Sequence, residues 1–146
     1  MGANHKVALV TINDRKSGYA KIKLVKSKDS KKVAKAIIQA LMPYKNHLHT
    51  ITSDNGKEFS EHQYISEKLG IEFYFAEPYS SWQRGANENL NGLIRQYFPK
   101  KTSFEEMSWR EIKKVENELN KRPRKRLNYK TPKEEFNLLT KVAFAA

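Results

Sequence analysis

The 146-residue chain contains no cysteine and no long apolar run. The absence of cysteine excludes disulfides and thiolate zinc sites. No stretch approaches the roughly 18 apolar residues that a membrane-spanning helix requires. The first six residues carry no apolar segment after their charge, so they do not resemble a signal peptide. These absences predict a folded protein of a reducing, cytosolic compartment with no membrane partner.

Acidic residues are scarce beside basic ones, with 16 Asp and Glu against 28 Lys and Arg, a net charge of +12. A folded basic domain typically meets a polyanion, most often nucleic acid. The charge is uneven: residues 1–53 carry +9, residues 54–94 carry −4 and residues 95–146 carry +7. Two interpretations stay open: chance variation on a solvated surface, or a carboxylate site between basic flanks that hold a phosphate backbone.

Hydrophobic periodicity predicts a mixed α/β layer architecture. A buried strand over Val7–Ile12 and a second strand with a basic outer face, through Ala20, Ile22 and Leu24, open the chain. A helix follows that Asp29 or Ser30 caps and Pro43 ends, and then a strand over Thr50–Ser53. The next helix is capped by Ser60 and Gln63 and ended by Gly70, and a strand through Ile71, Phe73 and Phe75 comes after it. In the second half of the chain, the pattern predicts a loop over Pro78–Gly85 and a helix from Ala86 to about Phe98. Two further helices are predicted, capped by Ser108 and Thr131.

Two acidic positions stand out as candidate chemistry. Asp54 follows the third strand, and α/β sheets usually bind ligands at the carboxyl ends of their strands. Glu88, Asn91, Gly92 and Arg95 share one helix face, where glycine costs about 1 kcal/mol relative to alanine and suggests a close approach. Each signal alone is explained more simply, the first by ordinary turn chemistry and the second by a solvated helix face.

Taken together, the two motifs carry a family resemblance. The stretches TSDNGKEF and WQRGANENLNGLIRQYFP, the opening VALVTINDRKSGY and the tail LNKRPRKRLNYKTPKEEF resemble the DDE transposases and integrases of the ribonuclease-H-like superfamily. The resemblance covers nearly the whole chain and is closest to the insertion-sequence group called IS-thirty. It implies a ribonuclease-H-like mixed sheet with flanking helices and a helical C-terminal extension.

The resemblance also implies a metal site. Family members hold two divalent ions, usually Mg²⁺, with three carboxylates, and Mg²⁺ prefers such oxygen ligands. Asp54 matches the second carboxylate and Glu88 the third. Arg95 matches a basic residue that meets DNA phosphate, and Arg84 and Asn91 are assigned to DNA contact beside it.

The first carboxylate of the family lies on a strand upstream of the segment that residues 2–6 match. We therefore expect the first strand of the sheet, with its aspartate, to be absent from this chain. Asp14 falls in a hairpin turn, where a plain turn role is favoured over substitution for the missing carboxylate. The site is then expected to hold at most one Mg²⁺ or Mn²⁺, weakly.

Other candidates carry weaker signals. His47 and His49, assigned to one strand face, have no third ligand in register and are interpreted as surface histidines. Tyr79 and Trp82 flank the acidic helix and suit either base stacking or packing beneath the loop. Residues 121–133 contain seven basic residues and no acid, which favours a phosphate-tracking segment over a solvated loop. Its candidate DNA-binding residues are Lys121, Arg122, Arg124, Lys125 and Arg126.

The resulting prediction divides the chain into an integrase catalytic core over residues 1–100 and a basic helical extension over residues 101–146. The function implied is DNA binding with metal-dependent phosphodiester strand transfer in transposition, although this chain is expected to be incomplete for catalysis. The alternative is a non-catalytic DNA-binding transposase remnant or regulator. A ribonuclease H proper is weaker, because its chemistry needs further carboxylates. DNA and further copies of the chain are the expected partners, with no small-molecule cofactor, in the bacterial cytosol at the nucleoid.

Overall fold

The computed structural model describes residues 7–54, 56–76, 81–99, 104 and 107–145, and side chains throughout these ranges except at 81–88 and 140–145. The described strands are β1 (Ala8–Asn13), β2 (Ala20–Val25), β3 (Thr50–Ser53) and β4 (Glu72–Phe75). The described α-helices are α1 (Ser30–Leu41), α2 (His62–Leu69), α3 (Ser81–Tyr97), α4 (Trp109–Asn120) and α5 (Pro132–Ala145). Short 3₁₀ turns cover Met42–His47, Lys57–Phe59 and Lys125–Leu127. The mixed α/β prediction is confirmed.

The strands form two separate pairs. β1 and β2 are antiparallel, with Ala8 opposite Val25, whereas β3 and β4 are parallel, with Thr50 opposite Glu72. Within the described ranges β1 pairs with β2 alone and β3 with β4 alone. The sheet is therefore interrupted between β1 and β3.

Two apolar clusters hold the layers together. The first joins β1 and β2 to α3 and α4 through residues such as Leu9, Ile22, Ile94 and Leu119. The second packs α1 and α2 around Ile37, Ile65, Leu69 and Ile71, with partly buried side chains of β1, β3 and β4 against it. The interruption between β1 and β3 therefore lies between two clusters in which the helices pack around buried apolar side chains.

The helix ends test the sequence signals individually. The Ser108 Oγ accepts a hydrogen bond from the Glu111 N–H at 3.4 Å, and the Thr131 Oγ1 accepts one from the Glu134 N–H at 3.1 Å, so both caps are confirmed. Asp29 is the N-cap of α1, but its side chain makes no capping hydrogen bond.

Two helix starts were predicted wrongly. α3 begins at Ser81 and not at Ala86, because one glycine at position 85 is tolerated inside a helix of 17 residues. α2 begins after Glu61 without a side-chain cap, because Ser60 already closes the 3₁₀ turn over Lys57–Phe59. Gly70 ends α2 at a φ of 66°, as predicted. Positions 78–80 of the predicted loop lie outside the described residues.

The polar side of α4 covers the edge of β2 that faces away from β1. The Asn120 Oδ1 accepts a hydrogen bond from the Ala20 N–H at 2.8 Å, and the Asn120 Nδ2 donates one to the Ala20 carbonyl at 2.9 Å. Two residues further along β2, the Glu116 Oε2 accepts a hydrogen bond from the Ile22 N–H at 2.8 Å. These side chains occupy backbone groups that a neighbouring strand would otherwise bind, so they protect this edge of the sheet from pairing with another chain. The sequence predicted an exposed basic face for β2. The Lys21 side chain is only 15% exposed, however, and its Nζ lies 3.6 Å from the Glu116 Oε1.

Replacing Asn120 with leucine is expected to lower the free energy of unfolding by about 1–3 kcal/mol, since Ala20 would keep a buried N–H and carbonyl without partners. Urea denaturation of the variant measures the loss. Asn117→Leu, at an exposed position of the same helix, is the matched control and should change stability by less than about 0.5 kcal/mol. Equal losses in the two variants would contradict the role given to Asn120.

Candidate functional site

A cavity of about 810 Å³ occupies the interruption between the two strand pairs. All six residues of β1 and all four of β3 line it, and Val33, Ile37 and Leu41 of α1 contribute to its apolar wall. Neighbouring strands in a sheet lie about 4.8 Å apart, so β1 and β3 are separated here by space that a strand could fill. A gap at this place is what the sequence-based expectation of an absent first strand predicts.

An aromatic cluster forms another part of the cavity wall. Tyr19 stacks on Phe136 with ring centroids 4.4 Å apart, and Tyr44 meets Phe136 edge-on at 5.1 Å. The Lys21 Nζ lies 5.5 Å from the centroids of both tyrosine rings. Burial, followed by the hydrogen bond with Tyr44, raises the pKa of Tyr19 to about 12. Tyr19 is therefore neutral at physiological pH and can offer a hydrogen bond but not act as a base.

Asp54 lies at the carboxyl end of β3, as predicted, and lines the cavity. Its carbonyl accepts hydrogen bonds from the Gly56 N–H at 3.0 Å and the Ser53 hydroxyl at 3.1 Å. The residue is exposed, so its carboxylate is reachable from solvent. Asn55, the second residue of the predicted turn, lies outside the described residues.

α3 reaches the same cavity through Asn91. The Asn91 Oδ1 atom is buried and accepts no hydrogen bond from the described part of the chain. Positions 88, 91 and 95 follow one another along one side of a helix, with Arg95 half-buried one turn beyond Asn91. The structure describes the side chains of neither Glu88 nor Arg84. No described residue makes the close approach suggested by Gly92, because a Cβ there would meet none of their atoms within 4 Å.

Glu58 is a cavity residue that the sequence reasoning missed. Its carboxylate folds back over Gly56, where a Cβ would lie 2.6 Å from the Glu58 Oε2, and it lines the cavity together with Asp54. The available signal was its position four residues after Asp54 in the same motif, which places both on one connection after β3. Glycine at position 56 leaves room for this carboxylate.

The histidines lie at the cavity but not where the sequence placed them. His47 ends the 3₁₀ turn and His49 precedes β3, so neither belongs to a strand, because β3 begins only at Thr50. Among the residues that the structure describes, no group of three or more His, Asp or Glu side chains could hold a metal ion.

Asp14 has the turn role that was favoured for it. Its Oδ2 accepts hydrogen bonds from the Ser17 N–H at 3.0 Å and from the Ser17 hydroxyl, and its carbonyl accepts one from the Gly18 N–H at 2.7 Å. The carboxylate thus closes the β1–β2 turn, although Asp14 also lines the cavity.

The predicted basic segment forms the connection between α4 and α5. Lys121, Lys125 and Arg126 are exposed, whereas Arg122 and Arg124 are partly buried. Tyr79 and the side chain of Trp82 lie outside the described part of the chain.

The sequence model of the integrase core domain, named rve, matches residues 1–81, more than half of the chain. The chain belongs to the integrase core domain family. It is 53% identical, over its full length, to the transposase for insertion sequence element IS4351 of Bacteroides fragilis, of which it covers 46%. It is 44% identical over 86% of its length to the transposase InsI for insertion sequence element IS30A of Escherichia coli strain K12, of which it covers 33%. This integrase core domain thus spans less than half the length of these curated relatives, and the predicted resemblance to IS30-type transposases is confirmed.

Solved structures support the same fold. The catalytic core domain of BIV integrase superposes on 99% of this chain with a TM-score of 0.73 at 20% identity, and 93% of that domain is covered. A chain of the simian T-cell lymphotropic virus intasome in complex with PP2A regulatory subunit B56 gamma superposes on 82% of this chain, with 44% of that chain covered, a TM-score of 0.64 and 20% identity. At such identities the likeness shows the integrase core fold alone. None of the described helices is both long and apolar enough to cross a membrane.

Proposed function

We propose that this integrase core domain binds DNA and belongs to a metal-dependent phosphodiester strand-transfer activity in transposition. The observation that carries the proposal is the position of Asp54, an exposed carboxylate at the carboxyl end of a parallel strand, beside a cavity that Asn91 of α3 also lines. Ligands bind at such strand ends in α/β sheets. Family membership and the transposase relatives support the same activity.

Asp54 and Glu88 are the residues that would hold a divalent cation. Carboxylate oxygens suit Mg²⁺ and Mn²⁺. The buried Oδ1 of Asn91, which accepts no hydrogen bond from the described residues, lies one helical turn from position 88. When bound, such ions activate an attacking oxygen and stabilise the leaving oxygen of a phosphodiester. Two carboxylates do not fix two ions, so we propose that this chain holds at most one, weakly.

We propose that the DNA lies along the residues predicted from the sequence to bind it. Arg84, Asn91 and Arg95 belong to α3 beside the cavity, and the basic segment from Lys121 to Arg126 supplies further positive charge. We retain the division into a core over residues 1–100 and a basic extension over residues 101–146, and we propose that several copies act together on DNA in the cytosol at the nucleoid.

One observation favours the alternative, a DNA-binding protein without catalysis. The cavity separates β1 from β3 where the family's first carboxylate would lie, and Asp14 is engaged in its turn. In that case the domain occupies DNA or pairs with a complete transposase, and its metal site stays incomplete.

A titration with Mn²⁺ followed by electron paramagnetic resonance tests the metal proposal. We expect one weak site per chain that Asp54→Asn and Glu88→Gln each remove, because each takes away one of two carboxylate ligands. Asp14→Asn is the matched control, since asparagine keeps the turn hydrogen bonds while losing the charge. Two tightly held ions, or loss of binding in Asp14→Asn alone, would refute the assignment.

A further inference from the structure

The connection between α4 and α5 is fixed to the β1–β2 turn by one arginine. The Arg126 Nη1 donates a hydrogen bond to the Lys16 carbonyl at 3.0 Å, and its Nη2 donates one to the Arg15 carbonyl at 3.5 Å. Gly18 makes this approach possible, because its φ is 75° and a Cβ there would lie 3.0 Å from the Arg126 Nη2. Two segments that are about 110 residues apart in sequence are therefore held side by side.

Two further arginines fix the other end of the same connection. The Arg122 Nη1 donates a hydrogen bond to the Gln96 Oε1 at 3.2 Å, and its guanidinium lies 6.0 Å from the centroid of the Tyr97 ring. The Arg124 Nη2 donates one to the Leu119 carbonyl at 3.2 Å. The connection therefore runs from the C-terminal part of α3 to the β1–β2 turn.

The three guanidinium groups concentrate positive charge in a small volume. Burial, followed by repulsion from Arg122 and Arg126, lowers the pKa of Arg124 below its usual value. An anion relieves such mutual repulsion, and the guanidinium fork matches the geometry of phosphate as it does that of carboxylate.

Exposed side chains project from this fixed frame. Lys125 and Lys130 of the connection and Lys16 of the turn are exposed. Tyr129 is 69% exposed at a φ of 65°, an uncommon conformation for a residue with a side chain. The Tyr129 N–H donates a hydrogen bond to the Arg124 carbonyl at 2.8 Å, and the Arg124 N–H donates one to the Lys130 carbonyl at 3.0 Å. These two hydrogen bonds hold the loop between Arg124 and Lys130 closed.

We propose that the β1–β2 turn and the 121–131 connection form one surface that binds the phosphate backbone of duplex DNA. Lys16, Lys125 and Lys130 contact phosphates, and the Tyr129 hydroxyl is placed to donate to the same backbone. Arg126 is a positioning residue that brings the turn into this surface. The inference rests on the DNA binding proposed above and adds to it the turn, Tyr129 and the role of Arg126.

The test measures binding of the full chain to a fluorescent 30-base-pair duplex by anisotropy at increasing salt. Each phosphate neutralised contributes about −0.9 to the slope of log affinity against log salt. The triple variant Lys16→Gln, Lys125→Gln, Lys130→Gln should therefore flatten the slope by about 2–3 and weaken binding at 0.1 M salt about tenfold or more. The matched control removes the same charge from α1 at exposed positions, as Lys31→Gln, Lys32→Gln and Lys35→Gln, and should keep the original slope.

Arg126→Lys tests the positioning role, because it keeps the charge but not the two-pronged contact to the turn. For Arg126→Lys we expect the slope of log affinity against log salt to flatten by about 1, which is the contribution of Lys16. Adding Lys16→Gln to this variant should flatten the slope no further. Additive losses in the double variant would overturn the positioning role.

The outcomes separate this inference from the function it rests on. An unchanged slope in the Lys16, Lys125 and Lys130 triple, or equal flattening in the α1 triple, would overturn the proposed surface while leaving DNA binding intact. Failure of the unmodified chain to bind duplex DNA at 50 mM salt would overturn the proposed DNA binding, and the surface with it. The Mn²⁺ titration is independent of both results.

Discussion

Cleavage and strand transfer are expected only when a strand carrying an aspartate is added before Met1. The chain of 146 residues should leave labelled DNA ends unjoined in Mg²⁺, because the proposed metal ligands Asp54 and Glu88 are two carboxylates and two-metal chemistry needs more ligands. An added apolar strand has a place to go, since β1 and β3 both line a cavity of about 810 Å³ and neither pairs with another described strand on that side.

In the extended chain, Asp54→Asn and Glu88→Gln are each expected to lower the rate at least about 100-fold. A metal ion stabilises transition-state charge by several kcal/mol, and each 1.36 kcal/mol changes the rate tenfold. The measurement compares the short and extended chains on the same labelled DNA. The matched control is Asp29→Asn, at an exposed N-cap whose side chain makes no capping hydrogen bond, and it should leave the rate unchanged.

Strong activity of the short chain, abolished by Asp54→Asn, would contradict this account and mean that another residue supplies the missing carboxylate. Asp14→Asn and Glu58→Gln would then identify it. Asp14 already closes a turn, whereas the Glu58 carboxylate lines the cavity together with Asp54. Activity that survives Asp54→Asn and Glu88→Gln would remove both from the catalytic site.

The sequence predicted the elements whose signals are local. Ser108 and Thr131 cap their helices because the hydroxyl of an N-cap residue accepts from the free N–H three residues on, a contact that needs no distant partner. Asp54 was placed correctly for the same reason, since an apolar strand followed by turn residues fixes where the strand ends. The start of α3 was missed because Pro78 and Gly85 suggested a loop, while a long helix tolerates one glycine.

The features that sequence reasoning missed depend on contacts between distant residues. Asn120 and Glu116 were not singled out from the sequence, and their partners lie 100 and 94 residues away on β2. The Arg126 contact with the β1–β2 turn has the same origin. Tertiary packing therefore decides which members of a polar pattern are structural and which stay available for a ligand.

Glu116→Ala is expected to cause the largest loss of stability among the variants considered, about 3 kcal/mol. The Glu116 side chain is 3% exposed and accepts hydrogen bonds from the Ile22 N–H at 2.8 Å and the Lys113 Nζ at 2.9 Å. Removing one partner of a buried ion pair typically costs about 3–5 kcal/mol, and the lower end applies because the Lys113 side chain is 48% exposed. For a chain of this size the loss corresponds to a Tm lower by about 6–12 °C.

Glu116→Gln separates the charge from the hydrogen bond in the same experiment. Glutamine keeps an oxygen that can accept from the Ile22 N–H, so its loss in urea denaturation should be roughly half that of alanine. The alanine variant also opens the outer edge of β2, and exposed strand edges pair with other chains, so it should self-associate more at high concentration. Equal losses of stability in the two variants would show that the ion pair with Lys113 and Lys21, and not the hydrogen bond to β2, makes Glu116 important. A loss below about 0.5 kcal/mol in Glu116→Ala would contradict the role of α4 in sealing the sheet edge.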